Sequence, residues 1–305
     1  MDAIVLAGFL AATVRVSTPL LLAAIGETVA ERAGVINLGI EGAMLAGALG
    51  GALGATAAGP WAGIGAAILA GLIVAAVFAV MAIGVGADQI ISGTAVTLGA
   101  IGVTGIVYRQ AYGAAGAGLS LPTFPDVAIP GLHALPLVGD AFFAQPVLTY
   151  LAWIAVPIVW WAMFRTRWGL ALRAVGESRE SARAAGVRVR SMQVAATLIG
   201  GGFAGLAGGS LVLAQVGTFA EKMTAGRGFI AIAIVILGRW HPLLVLGAAL
   251  FFGAASALQS AFQAMGFAVP YQLFLMLPYL LALVALAGGA GRARAPAELG
   301  KPGAG

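Results

Sequence analysis

The chain has no cysteine and two histidines, and only 9% of its 305 residues are charged. Each shortage excludes something. Without cysteine there is no disulfide, no thiolate nucleophile and no cysteine-bound metal. An ordinary soluble domain carries about 25% charged residues, so water is not the solvent of this fold. A G-x-x-x-x-G-K-[S/T] phosphate loop is missing, because neither Lys222 nor Lys301 precedes Ser or Thr. The chain is therefore not expected to hydrolyse ATP. H-E-x-x-H and G-x-S-x-G are missing as well, which argues against an intramembrane hydrolase. No basic stretch precedes the first apolar run, MDAIVLAGFLAATVRV, so a cleaved signal peptide is not expected.

What is present is apolar. Hydrophobic residues make up 61% of the chain, and the mean hydropathy is +1.02. The apolar runs are continuous and about 20 residues long, enough to cross a bilayer as helices. They lack the alternation of a membrane β-barrel. The 46 glycines suit close helix–helix approach in lipid. The fold class expected is an all-α polytopic membrane protein with about eight to ten spans, some short or broken. The spans fall near 3–26, 35–56, 61–84, 90–108, 147–164, 192–216, 243–264 and 271–288, with a short apolar piece at 229–238. Residues 109–146 read as a Gly- and Pro-rich loop. Residues 1–290 are expected to form the membrane domain, and 291–305 a disordered tail.

Charge placement sets an orientation. Segment 165–190, RTRWGLALRAVGESRESARAAGVRVR, holds seven arginines and two glutamates. Its net charge of +5 equals that of the whole chain. Placed in the cytosol by the positive-inside rule, it brings Arg32, Arg239, Arg292, Arg294 and Lys301 to the same side. Arg109, Lys222 and Arg227 then fall outside, and Arg15 is undecided. The N-terminus comes out external and the C-terminus cytosolic. Because the arginines flank spans, the pI near 10.1 does not point to nucleic acid.

Within that segment, 176–187 (GESRESARAAGV) encodes a helix of about two turns. Ser178 can N-cap it, Glu180 sits in its first turn and Gly186 can end it. Arg179 and Arg183, four apart, offer guanidinium forks to carboxylates on a partner. Ala182, Ala184 and Ala185 give it a smooth surface. The plainer reading is a basic loop that only sets topology.

This segment resembles the coupling loop of ATP-binding-cassette importer permeases, whose pattern is E-A-A, three residues, then Gly. The ribose/nucleoside branch commonly reads G-E-N-P-x-A-A-x-x-A-G-V. Gly176, Glu177, Ala182, Ala185, Gly186 and Val187 match, while Ser178, Arg179 and Ser181 depart from it. GETVAERAGVINLGIEGAMLAGAL (26–49) and GRGFIAIAIVILGRWHP (226–242) are similar to two blocks of the nucleoside-type branch. The sugar-type branch has G-I-D-L-S-V-G where NLGIEG stands here. The resemblance spans nearly the whole chain. It implies a bacterial inner-membrane permease subunit of an ATP-driven importer, most simply for nucleosides, with a simple-sugar permease as the alternative. The partners implied are a second permease subunit of different sequence, an ATPase that holds ATP and Mg, and an extracytoplasmic substrate-binding lipoprotein. The chain itself would bind no cofactor. The expected coupling residues are Gly176, Glu177, Arg179, Glu180, Ala182, Arg183, Ala185 and Gly186.

Ionisable residues inside a membrane suggest function, and broken helices supply polar backbone to substrate paths. Asn37 and Glu41, four apart, are expected to share a helix face and to line the path or its cytosolic gate. The alternative is that Glu41 snorkels or pairs with Arg32. Asp88, Gln89, Ser92, Thr94 and Thr97 form a second polar cluster. Gln89 and Thr94 are path candidates there, against a plainer role in interhelical hydrogen bonds. Arg227, Arg239 and Trp240 bracket the 229–238 piece, either as anchors of a gating element or as ordinary interfacial residues. His241 reads as interfacial, and His133 has no metal-ligand spacing. A secondary transporter driven by an ion gradient would need an intramembrane proton relay. Only Glu41 and Asp88 are candidates for one.

Overall fold

The computed structural model describes residues 3–113, 120–133, 135, 138–264, 276, 280, 283 and 294–301. In chain order its helices are α1 (Ala3–Arg32), α2 (Ile40–Ala58), α3 (Pro60–Ala79), α4 (Gln89–Tyr112), α5 (Gly139–Phe143), α6 (Val147–Arg165), α7 (Arg167–Glu177), α8 (Arg179–Ala184), α9 (Val189–Leu211), α10 (Arg227–Leu237) and α11 (Pro242–Ala264). α3 and α9 continue into π-helical turns at Val80–Val85 and Val212–Val216. Two short strands, β1 (Asp126–Ala128) and β2 (Ala144–Pro146), pair antiparallel with Val127 opposite Gln145. Seven helices among the described residues are long and apolar enough to cross a membrane, and α10 is apolar but short. The expected all-α polytopic class is therefore what the chain forms. The expected span 271–288 lies outside the described residues, apart from helical Met276, Leu280 and Leu283. Arg292 and the expected boundary at 290 also lie outside them, as do 114–119, 134, 136 and 137 of the 109–146 loop.

α1, α2, α3 and α9 pack tightly because small residues face each other. A Cβ on Gly208 would sit 1.9 Å from the Met44 carbonyl oxygen, and one on Gly71 would sit 2.2 Å from that of Gly201. Lipid gives no hydrophobic drive between helices, so such backbone approach supplies the van der Waals contact that holds them. α11 packs on α1 in the same manner, with Gly253 against Thr13 and Ser17.

Two helix boundaries differ from expectation. α1 runs on to Arg32, because Glu27 and Glu31 find partners inside the protein. Gly34 (φ +79°) then closes α1, with Gly34 N bonded to Glu31 O at 2.9 Å and Val35 N to Ala30 O at 3.1 Å. This is the paired-bond cap that a left-handed glycine permits. Residues 35–39 are irregular, and α2 starts only at Ile40. Asn37 and Glu41 therefore do not share a helix face: Asn37 lies in the loop, where its Oδ1 accepts from Gly39 N at 3.0 Å.

The helix ends sort onto two faces. Arg32, Arg165, α7, α8 and the starts of α4, α9 and α11 share one face, rich in arginine. On the opposite face, half-buried Arg15 pairs with Asp126 at 3.3 Å and Arg109 with Glu221 at 2.8 Å. Residues 294–301, expected to be disordered, are instead seated on the arginine-rich face. Glu298 N donates to Gly176 O at 2.9 Å, and Pro296 is buried. Composition alone suggested disorder, but this short stretch finds backbone and ionic partners that a composition count does not see.

Candidate functional site

The irregular loop 33–39 is buried, so its backbone groups need partners. Side chains from three helices supply them. Glu27 Oε1 of α1 accepts from Asn37 N at 2.9 Å, and Gln89 Oε1 of α4 accepts from Ile36 N at 2.8 Å. Thr97 Oγ1 donates to Leu38 O at 3.0 Å, and Gln193 Nε2 of α9 donates to Ala33 O at 3.2 Å. The polar residues in these apolar helices thus hold a broken segment in place. Thr94 has a different setting: it is exposed, and its hydroxyl bonds back to Ile90 O at 2.8 Å. Asp88 caps α4 through Ile90 N and Ile91 N, both at 2.9 Å.

The second broken element is α10. Eleven residues at about 1.5 Å each span roughly 16 Å, about half of a hydrocarbon core. α9 starts beside Ala33 and reaches the level of Arg15 at its far end, where Gln215 Nε2 donates to Arg15 O. α11 starts again beside Arg32. The chain therefore returns across the bundle between 217 and 241, half as loop and half as α10.

Both ends of α10 are tied to the 26–49 block. At the Gly226 end, Glu41 takes three donors: Thr224 Oγ1 at 2.6 Å, Gly226 N at 2.9 Å and Gly228 N at 2.7 Å. Glu41 is 5% exposed. A carboxylate at a helix N-terminus satisfies its unpaired N–H groups and opposes its dipole. The fit needs Gly228, since a Cβ there would lie 2.6 Å from Glu41 Cα. At the other end, Trp240 Nε1 donates to Glu31 Oε2, and Arg32 Nε donates to Trp240 O at 3.0 Å. Trp240 is buried at 4% exposure, so it is a core residue and not an interfacial belt residue. Glu27 Oε2 and Glu31 Oε1 are buried without a hydrogen-bond partner among the described residues.

The backbone is strained at both junctions. Lys222 (φ 58°) and Ala225 (φ 47°) precede α10, and Arg239 and Trp240 (both φ 53°) follow it. Arg239 occupies the cap position that glycine fills elsewhere, with Arg239 N bonded to Ile236 O and Trp240 N to Val235 O. Left-handed non-glycine residues cost on the order of 1 kcal/mol or more each, and they persist where surrounding contacts enforce them.

Beneath this lies the arginine-rich face. α8 is capped by Ser178, whose Oγ accepts from Ser181 N at 3.2 Å, and it ends at Gly186 (φ 83°). This is the short helix expected from the sequence. Gly176, at the end of α7, packs directly on α1: a Cβ there would meet Arg32 O at 2.2 Å. Ala182 is buried against Val175 and Val189. Glu177, Glu180, Arg183, Ala185 and Gly186 are exposed. Arg179 is not offered outward. It is 8% exposed and holds Glu298 and the Lys301 carbonyl.

Glu27, Glu31, Thr224 and Gln193 were not singled out from the sequence. The signal available was the pair of glutamates four apart at the end of an apolar run, in GETVAER. Asn37, Glu41 and Gln89 are brought together around loop 33–39 and the head of α10, whereas Thr94 stands apart. An apolar groove of about 430 Å³ lies between α2, α3 and α4. Its one hydroxyl, Thr104, is already bonded to Ala100 O at 2.6 Å, so the groove has little with which to recognise a polar solute.

The chain matches a family described as branched-chain amino acid transport system / permease component over residues 9–286. It is 43% identical over 268 residues to the putative glucose ABC transporter permease protein TsgC13 of Haloferax volcanii, covering 86% of this chain and 80% of that one. It is 37% identical over 301 residues to the guanosine ABC transporter permease protein NupQ of Bacillus subtilis, covering 95% and 94%. It is 33% identical over 290 residues to the nucleoside ABC transporter permease protein NupC of Lactococcus lactis, covering 92% and 91%. No solved structure matches the chain.

Proposed function

Since the chain belongs to the family of branched-chain amino acid transport system permease components, we propose that this multi-pass permease subunit of an ATP-driven importer carries nucleosides. The observation behind the substrate class is that the guanosine and nucleoside permeases align over more than nine tenths of both chains. The 43% identity to the putative glucose permease favours a second reading, a simple sugar. The two readings separate in one assay: ATP-driven uptake by the reconstituted transporter, with its binding protein, of labelled guanosine, cytidine and glucose. Saturable nucleoside uptake that unlabelled glucose fails to compete supports the first reading. Glucose uptake without nucleoside uptake rejects it.

The partners proposed are an ATPase, which binds ATP and Mg, an extracytoplasmic binding lipoprotein, and a second permease subunit of different sequence. The arginine-rich face is assigned to the cytosol of a bacterial plasma membrane, with the N-terminus outside and the C-terminus inside. That assignment rests on the positive-inside rule. The loop 165–191 is read as the ATPase-coupling loop, and Glu177, Glu180, Arg183, Ala185 and Gly186 as the surface the ATPase meets. Gly176, Arg179 and Ala182 seat that surface on the bundle.

The route inward is short. α8 rests on α7, Gly176 of α7 rests on the Arg32 carbonyl, and Arg32 and Glu31 hold Trp240 at the base of α10. The head of α10 rests on Glu41. A push on α8 thus meets a half-length helix that is strained at both ends and tied at both ends to one block. Asn37, Glu41 and Gln89 are assigned to that gate rather than to solute contact. Thr94 stays a path candidate, on the exposed face of α4. Contiguous contact supports the route, and a coupling free energy is what a test must read. Arg183→Glu in the complete transporter is expected to lower ATPase co-purification tenfold or more. Unchanged co-purification and uptake would place the docking surface elsewhere.

A further inference from the structure

Residues 294–301 are fastened to the arginine-rich face at several points. Glu298 N donates to Gly176 O at 2.9 Å. Arg179 Nη2 donates to the carbonyls of Glu298 and Lys301 at 3.3 and 2.8 Å, and its guanidinium lies 3.4 Å from the Glu298 carboxylate. Gln89 Nε2, at the start of α4, donates to Lys301 O at 3.0 Å. The remaining carboxylate oxygen of Glu298 takes the Lys301 ammonium at 3.2 Å. The segment also presses on loop 33–39. A Cβ on Gly34 would meet Glu298 Cβ at 3.2 Å, and one on left-handed Gly300 would meet Ile36 Cδ1 at 3.1 Å.

These contacts form a chain. Arg179 of α8 holds the strap, the strap holds Gln89, Gln89 holds Ile36 N, and loop 33–39 leads into α2 and Glu41. α8 is six residues long, too short to be stable alone in water. Its Arg179 is spent inward, on a segment more than 100 positions away in the chain. We propose that residues 294–301 form a strap that fastens the coupling helix to α4 and to the broken loop, with Arg179 and Glu298 as its positioning residues. The strap, and not α8 alone, then carries ATPase motion to the gate. This inference rests on the reading of α8 as the coupling helix.

The test uses the complete transporter: both permease subunits, the ATPase and the binding protein. The variants are a chain ending at Ala293, Glu298→Gln, Arg179→Glu, and Arg179→Glu with Glu298→Arg. In the shortened chain the ATPase is expected to co-purify as in wild type and to hydrolyse ATP at its basal rate. Substrate stimulation of that rate, and uptake, are expected to fall tenfold or more in maximal rate, with the half-saturating substrate concentration within twofold. Glu298→Gln keeps the volume and is expected to lower stimulation about threefold, so the contact can be read even if the shortened chain is poorly made. The double exchange restores the ion pair but not the two bonds that Arg179 gives to carbonyls, so it is expected to recover part of what Arg179→Glu loses, which a partner-facing arginine would not do. Full stimulation in both the shortened chain and Glu298→Gln overturns the strap. So does loss of ATPase binding in Arg179→Glu that the double exchange fails to restore. If the wild-type chain itself isolates without an ATPase, it is the coupling-helix reading that fails, and that result is distinct from either.

Discussion

At its Gly226 end, α10 gives its backbone N–H groups to a single carboxylate, whereas at its Trp240 end it is held through side chains. The upper contact is short and needs glycine: Glu41 accepts at 2.6 to 2.9 Å, with no space for a Cβ at Gly228. The lower contact reaches outward, through an indole to Glu31 and a guanidinium to a carbonyl. The upper hydrogen bonds also end on a side chain, but there the backbone of Gly228 is packed directly on that of Glu41, which leaves no slack. The lower end reaches across through the Trp240, Glu31 and Arg32 side chains, which can lengthen and re-form. The upper end is therefore the seat that must release cleanly, and the lower end is the joint that can follow a push.

Substitutions at the two ends should separate these roles. Gly228→Ala is expected to have the largest effect. A methyl group 2.6 Å from Glu41 Cα forces the helix off its seat, at a cost of about 1–3 kcal/mol or more. A fall in thermal midpoint in detergent, with loss of uptake, would show it; wild-type behaviour would mean that the seat has room for a methyl group. Trp240→Phe comes next. It removes the donor to Glu31, leaving a buried carboxylate whose other oxygen already has no partner among the described residues, at about 1–3 kcal/mol. Glu31→Gln keeps an acceptor for the indole and should cost less. Thermal unfolding of the two variants side by side checks the order, and the reverse order would show that the indole contact is incidental.

A smaller effect belongs to His241, between α10 and α11 and outside both. Burial first, and the Arg32 charge second, hold its imidazole below the ordinary value of 6.5. The unfolded chain then takes up a proton that the folded chain refuses. Stability is therefore full above that value and declines as pH falls through it, until the lower folded value is passed. His241→Gln should flatten this acid-side slope in unfolding midpoints measured from pH 7.5 to 5. An unchanged slope would assign it to another group. The smallest effect is expected for Arg109→Ala, at the outer approach to the Gly226 end. Its pair with Glu221 is exposed on both sides (64% and 38%), and exposed pairs of this kind add little to stability and are screened by salt. The arginine also holds the Glu221 carboxyl below the usual carboxylate range. A large stability loss in 0.15 M salt would mean that the outer loop takes part in holding α10.

Much of this arrangement was legible in the sequence, for a physical reason. Continuous apolar runs of about 20 residues read as spans, and Ser178 and Gly186 carry their capping chemistry with them, so α8 appears where its caps put it. The break at 238–242 was visible because Gly, Trp and His–Pro interrupt an apolar run. What the sequence hid was pairing across the chain. Glu41 and Gly228 are 187 positions apart, and Arg179 and Glu298 are 119 apart. Helical periodicity put Asn37 and Glu41 on one face because it has no way to register Gly34 turning left-handed between α1 and α2. Arg179 looked like a hand held out to a partner, because its own partner lay in a tail whose composition suggested disorder. The two blocks that resembled a permease most, 26–49 and 226–242, prove to be the two sides of one contact.

That contact is tested most directly by ATP-driven uptake in the complete transporter carrying Glu41→Gln. An amide keeps the shape but turns one acceptor into a donor facing Thr224 or the helix N–H groups. Hydrogen bonds to a charged group contribute about 1.5–3 kcal/mol each, and 1.4 kcal/mol is tenfold in rate. The expected result is a transporter that assembles with its ATPase at wild-type yield and loses at least tenfold in uptake. Uptake within twofold of wild type would contradict the account, since α10 would then not depend on the carboxylate that seats it.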